Sequence, residues 1–133
     1  MTSMIPNNEI KFQAVGLVRS SFGPGSSREE MLGGESEIII RPELVTGLNG
    51  LEVGQEILVL FHFDRPADTS DLLQHPRGDH SRPKRGVFSL RSPQRPNRIG
   101  ATVVKLLEID GPRLRVQGLD AYNGTPVLDL KPG

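Results

Sequence analysis

A chain of 133 residues with 16 acidic and 16 basic side chains and no cysteine is sized for one domain around a single hydrophobic core. The missing cysteine excludes thiol nucleophiles, disulfides and cysteine-held metal centres, and it fits a reducing compartment, so a cytoplasmic address is expected. The longest apolar run, Ile57-Leu58-Val59-Leu60-Phe61, is far short of the roughly 20 residues of a membrane-spanning helix, and the first residues lack the basic-then-apolar order of a secretory signal.

In chain order, β-branched and apolar clusters bounded by Gly, Pro, Asn or Asp predict strands at residues 11–19, 35–40, 55–63, 87–90, 101–109, 113–119 and 127–130. Residues 20–34 read as a long loop with one short helix at 27–32, stopped by Gly33-Gly34. Residues 41–48 suit a second short helix that Gly47 ends. Neither is long enough to cross over between parallel strands, so the expected fold is all-β and mainly antiparallel. Residues 1–133 would form one small β-barrel of about seven strands with little helix. Residues 66–85 read as another long loop, rich in Gly, Pro and charge. Asp110-Gly111-Pro112 is turn chemistry that makes 101–119 a hairpin, and Asn123-Gly124 suits a tight hairpin turn between 113–119 and 127–130.

The charge balance conceals a local excess. From His75 to Arg98 stand Arg77, Arg82, Lys84, Arg85, Arg91, Arg95 and Arg98 against one acid, Asp79. Such a cluster suits phosphate or another anion, and its bland reading is a solvated loop. Within it, Pro93 and Pro96 fix their own φ and push Ser92 and Arg95 toward extended geometry. An extended run would set Arg91, Pro93, Arg95 and Asn97 on one side, presenting two guanidinium groups and an amide to a carboxylate or phosphate. The plain alternative is a Pro-kinked connection with surface arginines. A second candidate is the turn Gly118-Leu119-Asp120-Ala121-Tyr122-Asn123-Gly124, where Asp120 can bond a ribose and Tyr122 can stack on a base. His62, at the end of a core strand, is a weak candidate base beside Phe61 and Phe63. His75 and His80 sit among cations that disfavour a divalent metal, and no metal site is expected. Neither a Rossmann glycine fingerprint nor a P-loop is present, so a nucleotide-like ligand must be held by another architecture.

Three ordered motifs resemble one family. Arg85-Gly-Val-Phe-Ser-Leu-Arg-Ser-Pro-Gln-Arg-Pro-Asn-Arg-Ile-Gly100 looks like the TrmO signature GVFATRSPxRPNPIG. Gly118-Leu-Asp-Ala-Tyr-Asn-Gly-Thr-Pro-Val-Leu-Asp-Leu-Lys-Pro132 looks like GLDxxDGTPVLDIKP, and Gly16-Leu-Val-Arg-Ser20 is similar to the family's GxIRS strand. The resemblance implies a small antiparallel β-barrel, typically a homodimer, that binds S-adenosylmethionine. The activity it implies is methylation of N6 in threonylcarbamoyladenosine beside the anticodon of tRNA. By the same resemblance, Phe63, Asp64, Arg91, Val103, Asp120, Ala121, Tyr122 and Asn123 match cofactor-binding segments. The basic segment with Arg77, Arg82, Lys84 and Arg85, together with Arg95 and Asn97, would face tRNA. The group that removes the substrate proton is not identified, with His62 and Asp120 as candidates. Arg98 replaces the usual proline, Asn123 the usual aspartate, Ser21 a frequent proline and Gly133 a frequent aromatic residue. Longer members carry an additional carboxy-terminal domain, which this sequence does not include. The competing reading is a non-catalytic module that binds S-adenosylmethionine or RNA.

Overall fold

The computed structural model describes residues 4–6, 8–63 and 71–133. Among them, strands β1 (Gly16–Arg19), β2 (Glu35–Ile40), β3 (Glu56–His62), β6 (Ile99–Asp110), β7 (Arg113–Gln117) and β8 (Pro126–Pro132) close a barrel in the order β1-β2-β7-β6-β3-β8. Every neighbouring pair is antiparallel. Strands β4 (Leu73–Gln74) and β5 (Arg85–Gly86) form a separate small hairpin. Alternation along each barrel strand decides what faces inward: Ile38 and Ile40 of β2, Ile57, Val59 and Phe61 of β3, Val104 and Leu106 of β6, and Leu114 and Val116 of β7 are buried together with Val18 and Val127. At about 1.5–3 kcal/mol for each such side chain taken out of water, this interior holds the barrel shut. On the outside of β1, β2, β7 and β6, Arg113 pairs with Glu37, Glu108 and Asp110, while Arg115 pairs with Glu35 and Glu108. The Glu37 carboxylate, followed by Asp110, holds Arg113 more firmly protonated than an ordinary arginine. These pairs are solvated and fix register more than they stabilise.

The architecture is the expected all-β, antiparallel barrel, with six strands in its wall rather than about seven. The missing one is 87–90. Val87–Ser89 is a 3-10 turn, closed by Leu90 N–H donating to the Val87 carbonyl and by Ser89 Oγ donating to Gly86 O. Residues 41–48 also form 3-10 helix, at Pro42–Leu48, since a short β-branched segment opened by proline gains little from an α-helical ladder. The expected helix at 27–32 is α1 (Arg28–Gly33), capped by Ser27 Oγ, which accepts from Glu30 N at 3.0 Å. The β6–β7 hairpin forms as expected, with Asp110 opposite Arg113 and Gly111 at φ 56°, the left-handed geometry such a two-residue loop demands. Asn123-Gly124 does make a turn, but it does not pair its flanking strands. Both edges of β7 are taken by β2 and β6, so β8 pairs with β1 and β3 instead.

Alternating strand direction has one consequence for function. The connections β1–β2, β3–β6 and β7–β8 all leave from the same end of the barrel, while the opposite end carries residues 41–55 and the Gly111-Pro112 turn. The described segments that carry Arg28, Arg91 and Asp120 therefore gather at one end. Ser36 faces inward there, 3% exposed, and its Oγ has no hydrogen-bond partner among the described residues. An orphaned buried hydroxyl costs about 1–3 kcal/mol. Ser36→Ala is accordingly expected to raise the urea midpoint of unfolding with an unchanged slope, and a lower midpoint would mean the hydroxyl is satisfied.

Candidate functional site

The wall of the barrel opens between β6 and β7 at this loop-bearing end. Strand β6 runs from Ile99, but its pairing with β7 begins only at Lys105 opposite Gln117. Leu106 N–H donates to Gln55 O and Phe63 N–H donates to Arg98 O, so even-numbered residues turn their backbone groups toward β3. Strand alternation then aims the N–H and C=O of Ala101 and Val103 the other way, at an edge where β7 has already departed. Arg91 comes to this edge, its Nη1 donating to Ala101 O at 3.3 Å. Asp120 comes to it too: Thr102 Oγ1 donates to Asp120 Oδ1 at 2.6 Å, while Asp120 Oδ2 lies 3.9 Å from Arg28 Nε of α1. Val103 itself points its side chain outward, 48% exposed, so what it offers at the opening is its main chain.

The segment carrying Asp120 is pinned on both sides. Leu119 and Ala121 are buried and plug the end of the core, leaving Asp120 and Tyr122 half-buried between and beside them. Next, Thr125 N–H donates to Tyr122 O to close the turn, with Gly124 at φ 86°. The turn docks on the exit of β1 through three bonds: Asn123 N–H to Phe22 O at 2.9 Å, Gly124 N–H to Val18 O at 2.8 Å, and Ser20 N–H to Asn123 Oδ1 at 3.1 Å. The Asn123 amide oxygen thus keeps the acceptor role that a carboxylate would have, without its charge.

At the end of β3, His62 is exposed and lies opposite Ile99, while Phe63 is half-buried with its ring 5.1 Å from that of Phe61, edge to face. Asp64 lies outside the described residues. Gly100 makes room for both rings, because a Cβ there would stand 2.5 Å from Phe61 and 2.9 Å from Phe63.

Arg95 is not splayed beside Arg91. Its Nη1 turns back to donate to Leu90 O at 2.9 Å and Ser92 O at 3.2 Å, so residues 90–95 wrap around a half-buried guanidinium and the extended run expected from the prolines is absent. Asn97 caps the start of β6, its carbonyl accepting from Ile99 N–H. Arg77, Arg82, Lys84 and Arg85 are all exposed on or beside the β4–β5 hairpin, which Gln74 Nε2 ties to the Arg91 segment by donating to Gln94 O at 2.7 Å. At the hairpin's tip, Ser81 donates to Asp79 Oδ1 from both its hydroxyl and its backbone N–H, which holds the Asp79 carboxyl below its ordinary value. A depressed folded-state pKa means that this turn is favoured above the unfolded value and loses that support as pH falls through the folded one. Carbon-detected NMR titration is expected to place the Asp79 midpoint below that of an unstructured aspartate, and Ser81→Ala to move it back up.

Thr102 and Arg28 escape sequence reasoning. A mid-strand threonine reads only as a β-former, and Arg28 as the solvated start of a short helix. Their meeting at Asp120 depends on which strands and loops become neighbours.

The sequence matches the tRNA-methyltransferase O N-terminal domain over residues 24–133. It is 46% identical over 127 residues to a probable S-adenosyl-L-methionine-binding protein of Methanothermobacter thermautotrophicus, covering 93% of this chain and 90% of the relative. It is 44% identical over 87 residues to the human tRNA (adenine(37)-N6)-methyltransferase, covering 64% of this chain and 19% of the human protein. Among solved structures, a crystal structure of TrmO superposes with a TM-score of 0.74 at 30% identity over 95% of this chain and 58% of the other. TrmO of Pseudomonas aeruginosa gives 0.73 at 27% identity over 96% and 56%. The chain thus spans little more than half the length of those two solved TrmO chains.

Proposed function

This chain belongs to the tRNA-methyltransferase O N-terminal domain family, and we propose that it binds S-adenosylmethionine at the open β6 edge and methylates N6 of threonylcarbamoyladenosine beside the anticodon of tRNA. The observation that carries the reading is the convergence of Arg91, Asp120 and the main chain of Ala101 and Val103, beyond the reach of β7, on one opening in the barrel wall. The donor set fits the ligand: an adenine edge needs paired N–H and C=O groups, a ribose or ammonium needs a carboxylate, and a methionine carboxylate needs a guanidinium. Val103 supplies the first, Asp120 the second and Arg91 the third. Ala121, Tyr122 and Asn123 fix the turn that carries Asp120, and Phe63 and Tyr122 add apolar surface that keeps water out. S-adenosylmethionine, once bound, supplies a methyl group on a positively charged sulfur.

What remains for the protein is mainly alignment and desolvation, since transfer from sulfonium to nitrogen is an in-line displacement that disperses charge. Arg91 must stay clear of the sulfonium, and its place on the Ala101 carbonyl keeps it on the rim. The acceptor nitrogen gives up a proton as the new N–C bond forms. His62, exposed at the strand end, and Asp120 are the described groups that could take it, directly or through one water. Arg77, Arg82, Lys84 and Arg85 carry the charge that tRNA phosphates require, with Arg95 and Asn97 shaping the loop behind them.

The protein acts in the cytoplasm as a homodimer on this reading. Two features support the second copy: Leu17, Ile99 and Val103 stand 41–48% exposed on the outer wall, and a shallow, mainly apolar groove there is lined by Phe12, Leu60, Ile99, Leu128 and Asp129. Among the described residues no helix is long and apolar enough to cross a membrane.

Calorimetric titration with S-adenosylmethionine, followed by transfer of its labelled methyl group to tRNA carrying the threonylcarbamoyl group, tests the proposal. Binding with no transfer to any tRNA would leave a non-catalytic adenosyl-binding module. No binding at all would remove the site.

A further inference from the structure

The β4–β5 hairpin presents an aromatic side chain that neither the barrel nor the cofactor site uses. Phe88 is 81% exposed, with Leu72 and Leu73 beside the same strand pair at 61% and 60%. The exposure is built in by the local fold. Val87 N–H donates to Leu72 O at 2.8 Å and the Val87 side chain is 2% exposed, which anchors the 3-10 turn. Ser89 Oγ on Gly86 O and Leu90 N–H on Val87 O then close the turn and direct the next residue outward. A flexible loop would be free to fold such a phenylalanine away; this one is held out.

Around it the hairpin is cationic. Arg85 and Gly86 form β5 immediately before the turn, and Arg77, Arg82 and Lys84 are exposed on the same projection, against two carboxylates, Asp79 at its tip and Asp71 just before β4. A bare aromatic ring among arginines and lysines matches an unpaired nucleobase flanked by phosphates, because the base offers a π face and the backbone offers negative charge. It matches a second copy of this chain poorly, since two such hairpins related by symmetry would bring like charges together around a buried patch. Phe88 also lies three residues before Arg91 on the same stretch, and Gln74 clamps the hairpin to that stretch. A base stacked on Phe88 would place its neighbours in the strand close to the β6 opening.

We infer that Phe88 is a stacking platform for an unpaired base of the single-stranded RNA loop that holds the methyl acceptor, and so positions that loop. This rests on the RNA-methylating reading above. The chain contains no tryptophan, so Phe88→Trp installs a single fluorophore at the platform, at a position outside the cofactor site. A stem-loop RNA with unpaired loop bases is expected to quench its emission, whereas a fully paired duplex or inorganic polyphosphate at equal charge is not. Phe88→Ala is expected to weaken stem-loop binding roughly 5- to 100-fold with unchanged S-adenosylmethionine affinity, and without lowering the dependence of binding on salt. Lys84→Ala is expected to lower that salt dependence by about one unit of slope. If the unaltered protein binds the stem-loop and transfers methyl but Phe88→Ala does so equally well, the platform is wrong and the function stands. If Phe88→Ala instead changes sedimentation from dimer to monomer, a second copy covers the ring and the inference is overturned. If the unaltered protein binds S-adenosylmethionine but no RNA, the substrate reading fails and takes this inference with it.

Discussion

Arg91→Ala is expected to raise the KM for S-adenosylmethionine by roughly 10- to 100-fold while leaving kcat at saturation within a few-fold of its starting value. The guanidinium is exposed and, among the described residues, attached to the protein only through a 3.3 Å bond to the Ala101 carbonyl, so removing it takes little from the fold. A charge-assisted pair with a carboxylate contributes about 1.5–3 kcal/mol, which is the size of the KM change stated. A carboxylate remote from the transferring methyl is bound equally in ground and transition states, and loss of such uniform binding appears in KM rather than kcat. Two controls separate this role from a structural one. Thermal unfolding of Arg91→Ala should stay within about a degree of the unaltered protein. Its affinity for 5′-methylthioadenosine, which has no carboxylate, should be unchanged. Arg91→Lys should restore only part of the loss, because an ammonium lacks the planar fork. An unchanged KM, or an equal loss with methylthioadenosine, would place Arg91 elsewhere.

How much of this was legible beforehand differs between wall and site. The wall reads directly from alternation: Glu35-Ser36-Glu37-Ile38-Ile39-Ile40 and Arg113-Leu114-Arg115-Val116-Gln117 declare an inner and an outer face, and β2 and β7 pair with those faces in register. Residues 87–90 mislead because Val-Phe-Ser-Leu has strand composition but no neighbouring strand to pair with. In their place the short β4–β5 hairpin forms inside a segment whose Gly and Pro content reads as loop. In the site, Arg91 and Asp120 are visible as motif members, yet nothing local says that they meet. Their meeting follows from β6 continuing past the end of β7, a property of strand lengths and order. Arg95 shows the limit of the period-two rule. The rule assumes an extended chain, and two bonds from the Arg95 guanidinium to the Leu90 and Ser92 carbonyls, with Gln94 N–H donating to Ser92 Oγ, supply a competing local minimum that the guanidinium itself stabilises.

Gly100→Ala is expected to lower stability by about 1–3 kcal/mol, a fall of roughly 5–15 °C in Tm, through overpacking rather than loss of any bond. Gly100 is buried on the inner face of β6 directly across from Phe61, and an added methyl would meet Cε2 and Cζ of Phe61 at 2.5 Å and Cζ of Phe63 at 2.9 Å. Phe61 cannot yield easily, being 1% exposed among Ile57, Val59 and Val127 in the core. Phe63 has more freedom at the strand end, so much of the adjustment should fall on it, and Phe63 borders the proposed cofactor site. The expected signature is therefore double: a lower Tm, and weaker S-adenosylmethionine binding measured well below that Tm. Phe61→Leu alone should cost about 1 kcal/mol for the removed ring volume. Combined with Gly100→Ala it should cost less than the sum, because the space vacated by the ring accepts the new methyl. Strict additivity of the two changes would mean that the ring and the glycine do not share that space, and the steric account of this position would fail.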